Sequence, residues 1–230
     1  FFSIIAHDLK SPLQSLLGNI QFLSDEFDEM EKSEGKIFIN NVFKSTKTLY
    51  SLIENLLEWS RIQLGKLELN FEIFMIDDLI KKIALQIENL AAVKNINIDI
   101  VIKSKPRLIG DKNIIEIILR NILSNAIKFS YEESKIEVIY LVKNKIVKMS
   151  VRDFGTGIPE ENIKKLFSDT ETVTTHGTKN EKGTGLGLIL CKELLEKFNG
   201  KISVTSKENE GSVFTIEFPF LESIKDLETE

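Results

Sequence analysis

Cysteine, histidine and tryptophan are scarce in this chain, which has one cysteine, two histidines and one tryptophan in 230 residues. The single cysteine, Cys191, excludes an intrachain disulfide. The two histidines, His7 and His176, lie too far apart in sequence to give a Cys/His zinc spacing. A reducing, cytoplasmic setting fits that composition. No run of about 18 apolar residues occurs, so no segment reads as a membrane-spanning helix, and Phe1-Phe2-Ser3 lacks the charged start of a signal peptide. The net charge of -5 and pI near 5.4 leave no basic field. No Lys/Arg cluster is interleaved with aromatics, so a direct nucleic-acid partner is excluded. The chain does not begin with Met and starts inside an amphipathic pattern, and it therefore reads as a fragment whose upstream portion is absent.

What is present falls into two regimes. From Phe2, apolar residues recur at 2, 6, 9, 13, 16, 20, 23, 27 and 30, the alternation of four and three that marks a coiled-coil-like seam on one long helix. A polar stretch, Glu31 to Gly35, reads as a turn. Phe38, Val42, Ser45, Leu49, Leu52, Leu56 and Trp59 then repeat the spacing to about Leu64, as an antiparallel partner. Beside that seam runs a second apolar stripe, Ile39, Phe43, Tyr50, Ile53 and Leu57, more than a two-helix hairpin can cover. A second copy of the chain, giving a four-helix bundle in a homodimer, is the expected remedy.

After Gly65-Lys66 the period changes to a mixture typical of a layered α/β domain. Strands are predicted at about 68–74, 96–102, 135–142, 146–153, 201–207 and 212–218, and helices at about 76–93, 112–129, 159–167 and 185–198. Segment 168–183 fits neither period and reads as a mobile loop. The expected organisation is an α+β chain with a helical hairpin over 1–66, a layered domain over 67–220 and a frayed acidic tail over 221–230.

Six of the twelve glycines, at 155, 157, 177, 183, 185 and 187, crowd into one stretch. Glycine admits positive φ and close backbone approach to a ligand. Gly183-Thr184-Gly185-Leu186-Gly187 leads into a helix, whose N-terminus presents free N–H groups to phosphates. Asp153-Phe154-Gly155-Thr156-Gly157-Ile158-Pro159 puts a carboxylate at a strand end before a tight turn. Asn121 and Asn125 are four apart and share one face of a helix whose buried stripe is Ile114, Ile115, Ile118, Leu119, Ile122 and Ile127. Two amide oxygens there suit a hard cation, and Lys128 suits phosphate oxygens. No G-x-x-x-x-G-K-S/T phosphate loop is present, and D-F-G at 153–155 lacks the other eukaryotic kinase motifs.

Together these three elements resemble the N, G1 and G2 boxes of the histidine-kinase branch of the GHKL ATPases. The resemblance implies an α/β-sandwich of the Bergerat type that binds ATP and Mg²⁺. It makes Asn125 the Mg²⁺ ligand with Asn121 in support, Lys128 a phosphate contact and Asp153 the acceptor for the adenine amino group. Gly155 and Gly157 shape the adenine pocket, and Gly183, Gly185 and Gly187 let the lid fold over the phosphates. Phe129, Thr184 and Leu186 complete the nucleotide-contacting set.

Ile5-Ala6-His7-Asp8-Leu9-Lys10-Ser11-Pro12 carries a second resemblance, to the H box of a phosphoacceptor hairpin. Ala6 and Leu9 are seam residues, so His7 lies one step off the seam and is expected to face solvent. Asp8 is placed to fix the imidazole tautomer, and Pro12 to kink the helix just beyond. The implied catalytic residues are His7, Asp8 and Ser11, the last keeping a hydroxyl where relatives orient water for dephosphorylation.

The reaction implied is transfer of the γ-phosphoryl group of ATP to His7, then to an aspartate of a response-regulator receiver domain. The fragment is then expected to be cytoplasmic, with its upstream sensor domain absent. The alternatives are a nucleotide-binding switch or regulator phosphatase without autokinase activity, and a gyrase-like ATPase, disfavoured because the helix has Glu116 five residues before Asn121 and no acid at 121 to serve as base.

Overall fold

The computed structural model describes residues 2–28, 30–64, 69–102, 107–168, 175–181 and 185–220. It forms two compact units, Phe1–Lys66 and Leu67–Glu230.

The first unit is a hairpin of α1 (Phe2–Glu26) and α2 (Lys32–Gln63). Its antiparallel register is fixed where Phe22 stacks on Phe38 at 4.6 Å between centroids and where the Ser45 and Ser15 hydroxyls meet at 3.3 Å. The chain turns earlier than the polar run suggests. Glu31 is the extended N-cap of α2, and Gly35, whose N–H donates to the Glu31 carbonyl, already lies in its first turn. A glycine one turn into a helix is tolerated at a cost of about 1 kcal/mol. Pro12 lies inside α1.

On α2 the predicted seam is half-buried from Phe38 to Trp59, with Leu52 fully covered. On α1 only alternate seam residues are covered. Leu9, Leu16 and Leu23 are half-buried, whereas Leu13, Ile20 and Phe27 are exposed. One partner helix fills one side of a seam, and the other side stays open. The second stripe of α2, with Phe43 69% and Tyr50 65% exposed, is open as well.

The second unit is two layers. A five-stranded sheet has the order β2-β4-β5-β7-β6, formed by β2 (Asn97–Ile102), β4 (Lys135–Lys143), β5 (Ile146–Asp153), β7 (Gly211–Pro219) and β6 (Lys201–Lys207). Only the β2–β4 pairing is parallel. Strict alternation explains the layers. Ile136, Val138 and Tyr140, then Val147, Met149 and Val151, then Phe214, Ile216 and Phe218 are buried on one face. The other face carries ion pairs such as Lys148–Glu217 at 2.8 Å and Lys135–Glu137 at 2.6 Å.

Three helices supply the second layer, α3 (Ile76–Ala92), α4 (Lys112–Phe129) and α6 (Leu186–Glu196), with the short α5 (Glu160–Ile163) at the side. In α3, Ile76, Leu79, Ile80, Ile83, Ile87 and Ala91 repeat at helical spacing and are buried. The predicted buried stripe of α4 is buried throughout, and Cys191 sits fully inside on α6.

Three expectations are corrected. Arg107–Gly110 is a strand, β3, pairing antiparallel with β1 (Glu72–Met75). Four residues are too few to display a period. Helix 159–167 shortens to α5, which buries no residue and so has nothing to prolong it. The helix expected at 185–198 starts at Leu186, because Gly185 is its left-handed N-cap, and ends at Glu196.

Candidate functional site

Helix α4 begins on a strong cap. The Asp111 carboxylate accepts from the N–H groups of Asn113 and Ile114 at 3.0 and 3.1 Å, and its second oxygen accepts from Asn70 N–H at 2.9 Å. With one side of α4 in the core, its remaining ridge presents Asn121, Asn125 and Lys128, all half-buried.

Asn121 is engaged twice. Its Nδ2 donates to the Ile117 carbonyl at 3.0 Å, and its Oδ1 lies 2.7 Å from where a side chain on Gly187 would begin. A Cβ on Gly187 would therefore displace the Asn121 amide, which lies against the first turn of α6. Asn125, one turn on, makes no side-chain hydrogen bond among the described residues, which leaves its amide oxygen available to a cation.

At the other end of α4 the Phe129 carbonyl accepts from Thr156 N–H at 3.1 Å, and Ser130 bridges to Gly155. A Cβ at Gly155 would run into the Phe129 carbonyl. Gly157, at φ +63°, would run into the Lys207 carbonyl. The turn 153–158 is thus clamped between α4 and the β6–β7 hairpin, whose Asn209 N–H donates to the Thr156 carbonyl at 2.7 Å. Ile158 N–H donates to the Ser206 hydroxyl at 2.9 Å. Asp153, at the end of β5, is 2% exposed and accepts from Ser212 N–H at 3.1 Å. Burial pushes its carboxyl up to about 6, against the opposing pull of the Ser212 and Gly155 N–H groups.

Lys128 lies against the segment Thr175–Glu181. Its ammonium donates to the Thr175 carbonyl at 3.1 Å and sits 4.5 Å from the Phe129 ring centre. Burial lowers its pKa to about 8, with Lys94 adding to the fall and Glu181 opposing it. Thr175–Glu181, the described part of the segment expected to be a loop, forms a turn in which Gly177 N–H donates to the Glu181 carbonyl at 2.9 Å.

The structure therefore brings Asn121, Asn125, Lys128, Phe129, Asp153, Gly155, Gly157, Gly185, Leu186 and Gly187 together along one helix. Gly183 and Thr184 lie outside the described residues, as do the side chains of His7 and Asp8. The His7 backbone is in α1, and Ser11 is half-buried there. Glu116 does not belong with Asn121. It is tied to Lys82 at 2.8 Å on α3 and to Arg120 at 2.6 Å. Burial works to raise its pKa, but the two cations outweigh burial and hold it below the ordinary value.

Sequence reasoning missed Ser212, Lys94, Thr178 and Glu181. A serine in a strand and a lysine in a turn carry no signal of their own, and their partners are remote in sequence.

The model for "Histidine kinase-, DNA gyrase B-, and HSP90-like ATPase" matches residues 110–222, and that for "His Kinase A (phospho-acceptor) domain" matches residues 1–65. A non-motile and phage-resistance protein of Caulobacter vibrioides is 29% identical over 95% of this chain and 27% of its own length. The Acinetobacter baumannii histidine kinase AdeS superposes with a TM-score of 0.75 at 22% identity, over 93% of this chain and 97% of that one, a likeness of fold. Histidine kinase ThkA, solved in complex with response regulator protein TrrA, gives 0.70 at 25% identity over 96% and 61%. The chain spans 27%, 42% and 24% of three curated relatives it matches. Among the described residues, no helix is long and apolar enough to cross a membrane.

Proposed function

The chain belongs to the sensor histidine kinases and is the catalytic core of a protein-histidine kinase; from that premise we propose that it binds Mg-ATP along α4, phosphorylates His7 and passes the phosphoryl group to a receiver-domain aspartate. The observation that carries the reading is α4 itself. Asn121 lies against the N-terminus of α6, Phe129 seats the Asp153–Ile158 turn, and Asn125 and Lys128 stand between.

In this reading Asp153 accepts from the adenine amino group, as a buried carboxylate already held by the Ser212 and Gly155 N–H groups is suited to do. The start of α6 turns its free N–H groups toward phosphate, and Lys128 adds charge. Asn125 would hold Mg²⁺ through its amide oxygen. When bound there, the ion would supply positive charge against that growing on the phosphates during transfer. Asp8 orients the imidazole of His7, whose free ring nitrogen attacks the γ-phosphorus as the bond to the ADP oxygen breaks. Residues 1–66 act as the dimerisation and phosphotransfer hairpin and residues 67–220 as the ATP-binding domain. The exposed Leu13, Ile20, Phe43 and Tyr50 support a homodimer. A cytoplasmic place, within a larger sensor, completes the proposal.

Incubation with Mg²⁺ and γ-phosphate-radiolabelled ATP is expected to give acid-labile, base-stable label that is lost in His7→Gln. ATP binding without label refutes the kinase reading. Loss of phosphate from a phosphorylated regulator, without label on His7, would then favour the phosphatase. Label recovered on mixing His7→Gln with Asn125→Asp establishes transfer between protomers.

A further inference from the structure

Lys94 follows α3, in the turn to β2, and is 2% exposed. Burying an ammonium costs several kcal/mol unless it is fully partnered. Lys94 has four acceptors for three protons. Its Nζ lies 3.0 Å from the Ile127 carbonyl, 2.7 Å from the Lys128 carbonyl, 2.7 Å from Thr178 Oγ1 and 2.7 Å from Glu181 Oε1. The first two are among the last carbonyls of α4, where a cation also meets the negative end of the helix dipole. Capping α4 needs only those two. The other two partners belong to a segment more than 80 residues later, outside the helix.

That segment closes on Lys128 at both ends of the residue. Thr178 N–H donates to the Lys128 carbonyl at 3.1 Å, and the Thr175 carbonyl accepts from the Lys128 ammonium at 3.1 Å. Between them Gly177 comes so near that a Cβ would sit 2.6 Å from Lys128 Cγ. Glu181 is taken up by Lys94 and by Lys179 N–H, at 2.7 Å each. Lys128 is thereby left with a carbonyl and an aromatic ring rather than a carboxylate, although Glu181 is close enough to act on its charge. A half-buried ammonium without an anion suits a polyphosphate.

We infer that Lys94 is a positioning residue for phosphate recognition: it pins Thr175–Glu181 to the end of α4 and withholds Glu181 from Lys128, keeping that ammonium open to the phosphates of ATP. The inference rests on the ATP site proposed above.

The test measures binding of a non-hydrolysable ATP analogue with Mg²⁺, and of adenosine, to the full chain, together with hydrogen exchange at the Gly177 and Thr178 amides. Lys94→Met is expected to weaken the ATP analogue about tenfold, the lower end for one charge-assisted bond, to leave adenosine unchanged and to speed exchange at both amides. Glu181→Gln is expected to weaken the analogue about threefold when Lys94 is present. When Lys94 is Met, the same change is expected to strengthen it, because the freed carboxylate is then the competitor. Should Lys94→Met not fold, Glu181→Gln alone carries the test, with loss for the analogue and none for adenosine as the expected result. Equal losses for both ligands, or none for the analogue, overturn the inference. A wild-type chain that binds neither ligand overturns the ATP site and the inference with it.

Discussion

Replacing Asp153 with Asn should make the protein more stable and a worse nucleotide binder at once. The Asp153 carboxyl moves from 3.8 to about 6 on folding. That is roughly two pKa units at 1.36 kcal/mol each, or about 3 kcal/mol. Between those pH values the folded chain holds a proton that the unfolded chain has lost, so this contribution to stability is complete below about pH 4 and is lost as pH rises to about 6. Above pH 6 the buried carboxylate is a standing cost, which Asn, the same shape without the charge and still able to accept from Ser212 N–H, does not bear. Glu116, Glu181 and Glu217 are held below the ordinary value and titrate with the opposite sign. They are common to both proteins and cancel in the difference. Guanidinium melts followed by far-UV circular dichroism, from pH 4.5 to 7.5, should show Asp153→Asn gaining up to about 3 kcal/mol on the parent as pH rises. Titration calorimetry at pH 7.5 should show ATP bound roughly 10- to 150-fold more weakly, the range for a hydrogen bond to a charged acceptor of about 1.5–3 kcal/mol. A stability difference that does not change with pH, or unaltered ATP affinity, would refute the reasoning.

Gly157→Ala should abolish ATP binding and lower the denaturation midpoint. Its φ of +63° costs an L-residue about 1–2 kcal/mol before the collision with the Lys207 carbonyl is counted, and calorimetry and melts check both effects. The preference for ATP over adenosine should fall as pH rises through about 8, where the Lys128 ammonium, facing Glu181 and Lys94, loses its proton; in Lys128→Gln the ratio should be flat in parallel titrations. Glu116→Gln should cost about 1 kcal/mol or less, since its cation partners Lys82 and Arg120 are half in solvent. It should leave His7 labelling unchanged, and loss of labelling would restore Glu116 as a candidate base. Phe43→Glu with Tyr50→Glu should convert a dimer to monomers in sedimentation equilibrium, because those rings are exposed on the uncovered stripe.

Much of this architecture is legible in the chain itself, for a local reason. Periods of 3.5 and 2 encode which side of each helix or strand is apolar, so the hairpin, the α4 stripe and the alternation of β4, β5 and β7 can be read residue by residue. The glycines at 155, 157 and 187 are legible because they crowd into one stretch, and the fold shows the neighbours that a Cβ there would meet. Legibility failed for β3, four residues long, and for α5, which has no buried side to mark its end. The residues proposed for the phosphate site were named by their motifs. Which of them touch was not. Only the folded chain aims Glu116 at Lys82 and away from Asn121, hands Asp153 the Ser212 N–H, and buries Lys94 against Thr178 and Glu181. The sequence determines a histidine kinase's parts through local pattern. Tertiary structure decides the charge state and partners of its buried polar groups, because those depend on desolvation and on atoms that lie close in space and far apart along the chain.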